Sequence, residues 1–85
     1  MVQYFNYDEI TKCRTIEELD AMYKKIQIGF SGIPSASDKF NYYLNFKEAI
    51  DWIIAVALAL KAEEIQRLAT EQRAFLVQEI KKLLS

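Results

Sequence analysis

The sequence predicts an all-α protein that assembles as a helical bundle or a coiled coil. A capping-box pattern followed by an apolar stripe at helical spacing indicates a helix over residues 16–28. Both glycines and the only proline fall within residues 29–37, which indicates a loop. From Trp52 to Ser85 the chain contains no Gly, Pro, Asn or Asp, so no residue in this segment marks the end of a helix.

The N-terminal residues 2–7 are rich in aromatic side chains. A single short strand would have no partner strand in this chain, so we expect an extended arm whose rings pack on a helix. Asn6 stands three residues before Glu9, which is the spacing of a helix cap. A short helix over about residues 7–13 is therefore expected to follow the arm.

The second helix has the clearest start in the chain. The amide of Glu18 can donate a hydrogen bond to the hydroxyl of Thr15, and the Glu18 carboxylate can accept one from the amide of Thr15. Gly29 suits the C-terminal end of this helix. The apolar positions that follow at helical spacing are Ile16, Leu19, Met22, Tyr23 and Ile26.

The last helix is predicted over residues 38–84, with Ser35 or Ser37 as its N-terminal cap. At 100° per residue its apolar side chains stay within an arc of about 80°, which favours one continuous helix. A hairpin with a break near Ala69 and Thr70 is the alternative. The stripe consists of Phe40, Tyr43, Ile50, Ile54, Leu58, Ile65, Leu68, Leu76 and Leu83.

A continuous last helix would leave apolar side chains exposed. Residues 49–60 are apolar on all sides, and a helix over 16–28 can cover only about four turns of a partner. We therefore expect a second copy of the chain to cover the rest, whereas in the hairpin the last helix would fold back onto 49–60. The expected interface between copies comprises Ile54, Leu58, Ile65, Leu68, Leu76 and Leu83.

Length and charge narrow the class of protein. The 85 residues suit one small domain over 1–85, and a net charge of −1 with acids and bases well mixed offers no basic surface to a nucleic acid. As a helix, residues 49–60 would cover about 18 Å, which is too short for a bilayer core of about 30 Å, so no membrane span is expected. A lone cysteine without an export signal makes the cytoplasm the expected location.

Catalytic and metal-binding residues are scarce. The chain has no histidine, which is the usual general base, and Cys13 is its only cysteine. No group of acidic residues has the spacing of a calcium loop. We therefore expect no enzymatic activity, no metal and no cofactor.

The loop before the last helix is a candidate site for a phosphate-bearing small ligand. Hydroxyl groups, free amides at a helix N-terminus and a lysine can hold a phosphate. The spacing is not that of a P-loop, and Asp38 would repel an anion, so a plain loop with a serine cap is the alternative. The candidate residues are Ser31, Gly32, Ser35, Ser37 and Lys39.

Aromatic residues concentrate in the N-terminal half of the chain. They can form a surface that binds another protein, or they can fill the core, because the first long helix has few aliphatic side chains. The expected partner surface comprises Tyr4, Phe5, Tyr7 and Tyr42.

The first part of the chain resembles a J-domain. NYDEI at 6–10 is similar to the first helix of that family, ELDAMYKKI at 18–26 to its basic second helix, and DKF at 38–40 to the start of its third. The match covers about half of the chain. The His-Pro-Asp signature is missing, since residues 29–34 read GFSGIP, so the resemblance implies two helices joined by a loop and no chaperone-stimulating activity.

Taken together, these features predict a non-enzymatic protein-interaction module that associates with itself. Its expected role is that of an accessory or inhibitor protein that acts by binding a macromolecular partner. The alternative is an oligomer that sequesters a phosphate-bearing small molecule at residues 31–39.

Overall fold

The computed structural model of the protein describes residues 7–85, which form four helices. No strand occurs in this part of the chain, and the predicted all-α class is confirmed. The helices are α1 (Tyr7–Thr11), α2 (Ile16–Gly29), α3 (Lys39–Leu60) and α4 (Glu63–Leu84).

The start of α2 confirms the predicted capping box. The Glu18 amide donates to the Thr15 hydroxyl at 3.1 Å, and the Thr15 amide donates to the Glu18 carboxylate at 3.1 Å. α2 ends at Gly29, one position beyond the predicted end. α1 ends at Thr11, earlier than predicted, and its expected cap Asn6 lies outside the described residues.

The start of α3 differs from the prediction. The Asp38 amide donates to the Ser35 carbonyl at 3.1 Å, and the Ser35 hydroxyl donates to the Asp38 carboxylate at 2.8 Å. Because the Ser35 hydroxyl is engaged by the carboxylate, it does not cap the helix, and no side chain does. The prediction that Ser35 or Ser37 caps this helix is therefore wrong; α3 begins at Lys39.

The segment predicted as one long helix is a hairpin of two helices, α3 and α4. Residues 38–84 are therefore not a continuous helix, and the alternative is correct except for the place of its break. The chain turns at Lys61 and Ala62, whereas Ala69 and Thr70 lie inside α4. Folding back lets α4 cover the apolar α3 within one chain, which removes the need for a second copy at those positions.

The core lies around α3, which contacts each of the other three helices. Ile50, Ile53 and Ala57 of α3 have no exposed surface. Aromatic side chains cover the end of the core that lies beside the loop before α3. Phe30 stacks on Phe46 at 4.5 Å, and the Tyr42 hydroxyl donates to the Phe30 carbonyl. The other helices contribute Ile10, Leu19, Met22, Ile26, Ile65, Ala69 and Leu76.

A small polar cluster fixes α4 beside α2. The side-chain amides of Gln27 and Gln72 exchange two hydrogen bonds of 2.8 Å, and the Tyr23 hydroxyl donates to Gln72 at 3.0 Å. Paired polar groups of this kind are satisfied only when the two helices lie in one register. The cluster therefore determines how α4 sits against the rest of the fold.

Candidate functional site

A groove of about 610 Å³ opens between the N-terminal end of α2 and the turn that joins α3 to α4. The capping box orients the α2 side of this groove, and the turn at Lys61 places the first residues of α4 opposite. We name this site the turn groove. Its lining residues are Ile16, Glu17, Asp20, Lys61, Ala62, Glu63, Glu64, Ile65 and Leu68.

The floor of the turn groove is apolar. Ala62 and Ile65 are buried there, while Ile16 and Leu68 remain 44% and 38% exposed. Large aliphatic side chains that stay accessible beside one another are the usual floor of a binding site. Ile16 and Leu68 can therefore contact a ligand without any change in the fold.

The rim of the turn groove is acidic, with four carboxylates and one ammonium group, that of Lys61. Within residues 7–85, Asp20 is the only one of the four that forms an ion pair, with Lys24 at 3.0 Å. Helix first turns favour acidic residues, because the N-terminal end of a helix carries partial positive charge. Two such ends meet here, which brings together Glu17, Asp20, Glu63 and Glu64.

The six residues predicted to form an interface between copies differ in their exposure. Ile65 and Leu76 are buried inside the chain, at 6% and 1% exposure, so their assignment to the surface of the folded chain is corrected by the hairpin. Leu58, Leu68 and Leu83 are exposed, and Ile54 is half-buried against the core. Of the six, Leu68 lines the turn groove.

The side-chain hydroxyls of the predicted phosphate loop already form hydrogen bonds within the loop and with the residues that flank it. The Ser31 hydroxyl donates to the Ile28 carbonyl at 2.7 Å, and the hydroxyls of Ser35 and Ser37 lie 3.3 Å apart beside the Asp38 carboxylate. Gly32 and Ser35 line a pocket of about 290 Å³, which Asp38 also borders. Lys39 is exposed and does not line that pocket. The structure therefore places a carboxylate where a phosphate would need positive charge.

The described residues of the predicted aromatic partner surface, Tyr7 and Tyr42, pack within the fold. Tyr42 is buried at 8% exposure within the ring cluster, so its assignment to a partner surface is wrong. Tyr7 is half-buried, and its hydroxyl lies 3.2 Å from both the Asn45 side chain and the Glu48 carboxylate. Burial, then the negative charge of Glu48 and its hydrogen bond, raise the pKa of Tyr7 to about 12. Tyr4 and Phe5 lie outside the described residues.

The single thiol lies in the core. Cys13 is 8% exposed, and burial, followed by the charge of Glu18, raises its pKa. A raised pKa leaves less of the nucleophilic thiolate at neutral pH. Among residues 7–85 no three metal-ligating side chains come together, and none of the helices has the length and hydropathy to cross a bilayer.

Comparison of the chain with protein-family models, with curated proteins and with solved structures finds no match. The resemblance to a J-domain therefore stays a prediction.

Sequence reasoning missed most of the turn groove. Its acidic residues Glu17, Glu63 and Glu64 were not among the predicted site residues. No local pattern relates Ile16 to Leu68, because their place in one groove depends on where the chain turns between α3 and α4. A signal at Lys61 would have revealed the groove, but the sequence there reads as uninterrupted helix.

Proposed function

We propose that the protein is a non-enzymatic interaction module that binds a basic, apolar helical segment of another protein in the turn groove. The observation that carries this proposal is the presence of two accessible aliphatic side chains, Ile16 and Leu68, in a groove that four carboxylates also line. An amphipathic helix is complementary to such a site, because apolar side chains project from one face and Lys or Arg from its flanks.

The size of the turn groove suits a few anchoring side chains. Its volume of about 610 Å³ is within the range of sites that take a small ligand or a short peptide segment. Few anchors and an exposed charged rim produce a weak, reversible complex, so we expect a Kd on the order of 10–100 µM. Reversible binding of this strength suits an accessory or inhibitor protein.

The charge of the turn groove argues for a cationic partner. Each carboxylate attracts Lys or Arg side chains and repels phosphate, and this attraction weakens with salt. A phosphate-bearing ligand at residues 31–39 is less well supported, because Asp38 engages Ser35 there. The non-enzymatic role is supported by the lack of histidine and by the raised pKa of the buried Cys13 thiol.

Binding of designed helical peptides tests this proposal. One peptide carries Leu on one face and Lys on its flanks, and its matched control replaces every Lys by Glu. Isothermal titration calorimetry at low salt should detect the Leu/Lys peptide and not the Leu/Glu peptide. Equal affinity for both, or no heat with the Leu/Lys peptide at millimolar concentration, would contradict the proposal.

Variants of α4 locate the binding site. Glu63→Gln combined with Glu64→Gln should weaken the Leu/Lys peptide about tenfold, whereas Glu79→Gln, on the same helix but away from the groove, should not. Leu68→Ser should also weaken binding, and Phe75→Ser, which removes another exposed apolar side chain of α4, should leave it unchanged. A loss that is the same for groove and control variants would remove the groove as the site. Circular dichroism of each variant confirms that it is folded.

A further inference from the structure

The turn between α3 and α4 holds a residue in an unfavourable backbone conformation. Lys61 has φ 59° and ψ 36°, and it is the one residue among 7–85 with a positive φ. Glycine is the usual residue at this position of a helix end, because a Cβ makes the left-handed region about tenfold less populated. The amides of Lys61 and Ala62 donate to the carbonyls of Leu58 and Ala57 at 3.3 and 2.9 Å, which closes the turn.

The local sequence favours a helix through the turn. Residues 57–64 are only Ala, Leu, Lys and Glu, which are among the strongest helix formers. The N-terminal end of α4 also lacks a stabilising cap, since Ala62 occupies the cap position and offers no side-chain hydrogen bond. The turn is therefore maintained by the packing of α4 on α3 and not by the residues that form it.

Part of the apolar surface of α3 shares a helical phase with that of α4. If Lys61 became helical, the apolar stripe of α3 and that of α4 would fall within one arc of about 80° on a single helix. One face of such a helix could then pack along a second helix over its whole length. The residues in this arc that lie in the core or pack against it are Tyr43, Ile50 and Ile54 of α3, and Ile65 and Leu76 of α4, whereas the buried Ile53 and Ala57 of α3 lie outside the arc.

We propose that Lys61 is the hinge of a domain swap between two copies of this chain. Each hinge straightens, and α4 of each copy packs on α3 of the other in an antiparallel pair of long helices. The apolar packing of α3 on α4 is kept, and the ion pair between Arg73 and Asp51, at 2.6 Å, forms between copies. The dimer gains a relaxed backbone at both hinges, and short strained hinges are the ones that favour such an exchange.

The swap is independent of the function proposed for the turn groove. It uses the α3–α4 interface and the hinge, and it is measured without any peptide. Straightening Lys61 removes one wall of the turn groove, so a bound partner would favour the unswapped chain. Self-association and partner binding would then exclude each other.

Hinge variants measure the swap. Chains are unfolded in urea, refolded at micromolar to millimolar concentration and analysed by size exclusion with light scattering. The natural chain should form dimers whose fraction rises with concentration. Lys61→Gly relaxes the hairpin and should raise the dimer Kd on the order of a hundredfold, about tenfold for each hinge, whereas Lys61→Val should lower it. Monomers throughout for the natural chain and Lys61→Val, or no change in Kd with Lys61→Gly, would overturn the proposal.

A charge-exchange pair shows whether helices are exchanged. Asp51→Arg alone and Arg73→Asp alone each place like charges together within one chain. A swapped heterodimer of the two variants has opposite charges at both places, so native mass spectrometry of the co-refolded mixture should show heterodimers in excess of homodimers. The control mixes Glu79→Arg with Lys82→Glu, whose natural pair lies within α4 and stays within one chain in either state. Random mixing with the first pair of variants would overturn the swap.

Discussion

Leu68 and Leu76 offer a matched test of the hairpin. Both are leucines of α4, and both belong to the stripe that predicted an interface between copies. In the structure Leu76 is 1% exposed, whereas Leu68 is 38% exposed beside the turn groove. Leu68→Ala and Leu76→Ala change the same atoms on the same helix, and alanine does not weaken a helix. Any difference between them therefore reports burial.

The expected losses follow from the two exposures. Leu→Ala removes the equivalent of about three methylene groups, worth about 2.4 kcal/mol when fully buried. At Leu76 the enclosed cavity adds to this, and we expect a loss of about 3–4 kcal/mol. At Leu68 part of the side chain is already in water and the groove is open, so a loss of about 1 kcal/mol is expected. A domain of this length has a total stability of about 4–13 kcal/mol, so Leu76→Ala removes a large share of it.

Urea unfolding at micromolar concentration, followed by far-ultraviolet circular dichroism, measures these losses. With a slope of about 1 kcal/mol per molar urea, the midpoint should fall by about 3 M for Leu76→Ala and about 1 M for Leu68→Ala. Unchanged slopes would show that the unfolded states are comparable. Equal midpoint shifts would refute the reasoning, because they would mean that the two leucines are equally buried and that α4 does not fold back as described.

Two further substitutions test the polar contacts. Gln72→Ala should cost about 1–2 kcal/mol of unfolding free energy, because Tyr23 loses its hydrogen-bond acceptor between α2 and α4, whereas the exposed Gln78→Ala should stay within about 0.5 kcal/mol; similar losses in urea melts would contradict this. The pKa of Tyr7 is raised from 10.0 to about 12, first by burial and then by Glu48, so the neutral phenol stabilises the fold below pH 10 and this contribution is lost between pH 10 and 12. Tyr7→Phe should therefore lose less stability than the natural chain over that interval, and parallel pH profiles would show that Tyr7 does not titrate as described.

Local patterns predicted the elements that depend on near neighbours. The helix at α2 begins with hydrogen bonds between Thr15 and Glu18, three residues apart, and its apolar stripe places Leu19, Met22 and Ile26 in the core. Such signals are complete within a few residues, so they are visible in the sequence.

The position of the hairpin turn was not visible in the same way. Lys61 takes the conformation usual for glycine, and Ala62 occupies the position where a capping side chain is expected. Neither residue type therefore indicates the end of α3 or the start of α4. The penalty of the turn is small compared with the burial of Ile65 and Leu76 against α3. Long-range packing therefore decided against the local preference for a continuous helix.

By itself the sequence determined the helical class, the start of α2 and the need to cover the apolar residues 49–60. The tertiary structure alone decided what covers them, because burial within one chain depends on where the chain reverses. The same reversal places Ile16, Leu68 and two acidic helix starts along one groove. The candidate site is thus a consequence of the turn at Lys61. Its residues on α2 and α4 lie more than forty positions apart, so their spacing in the sequence does not show that they line one groove.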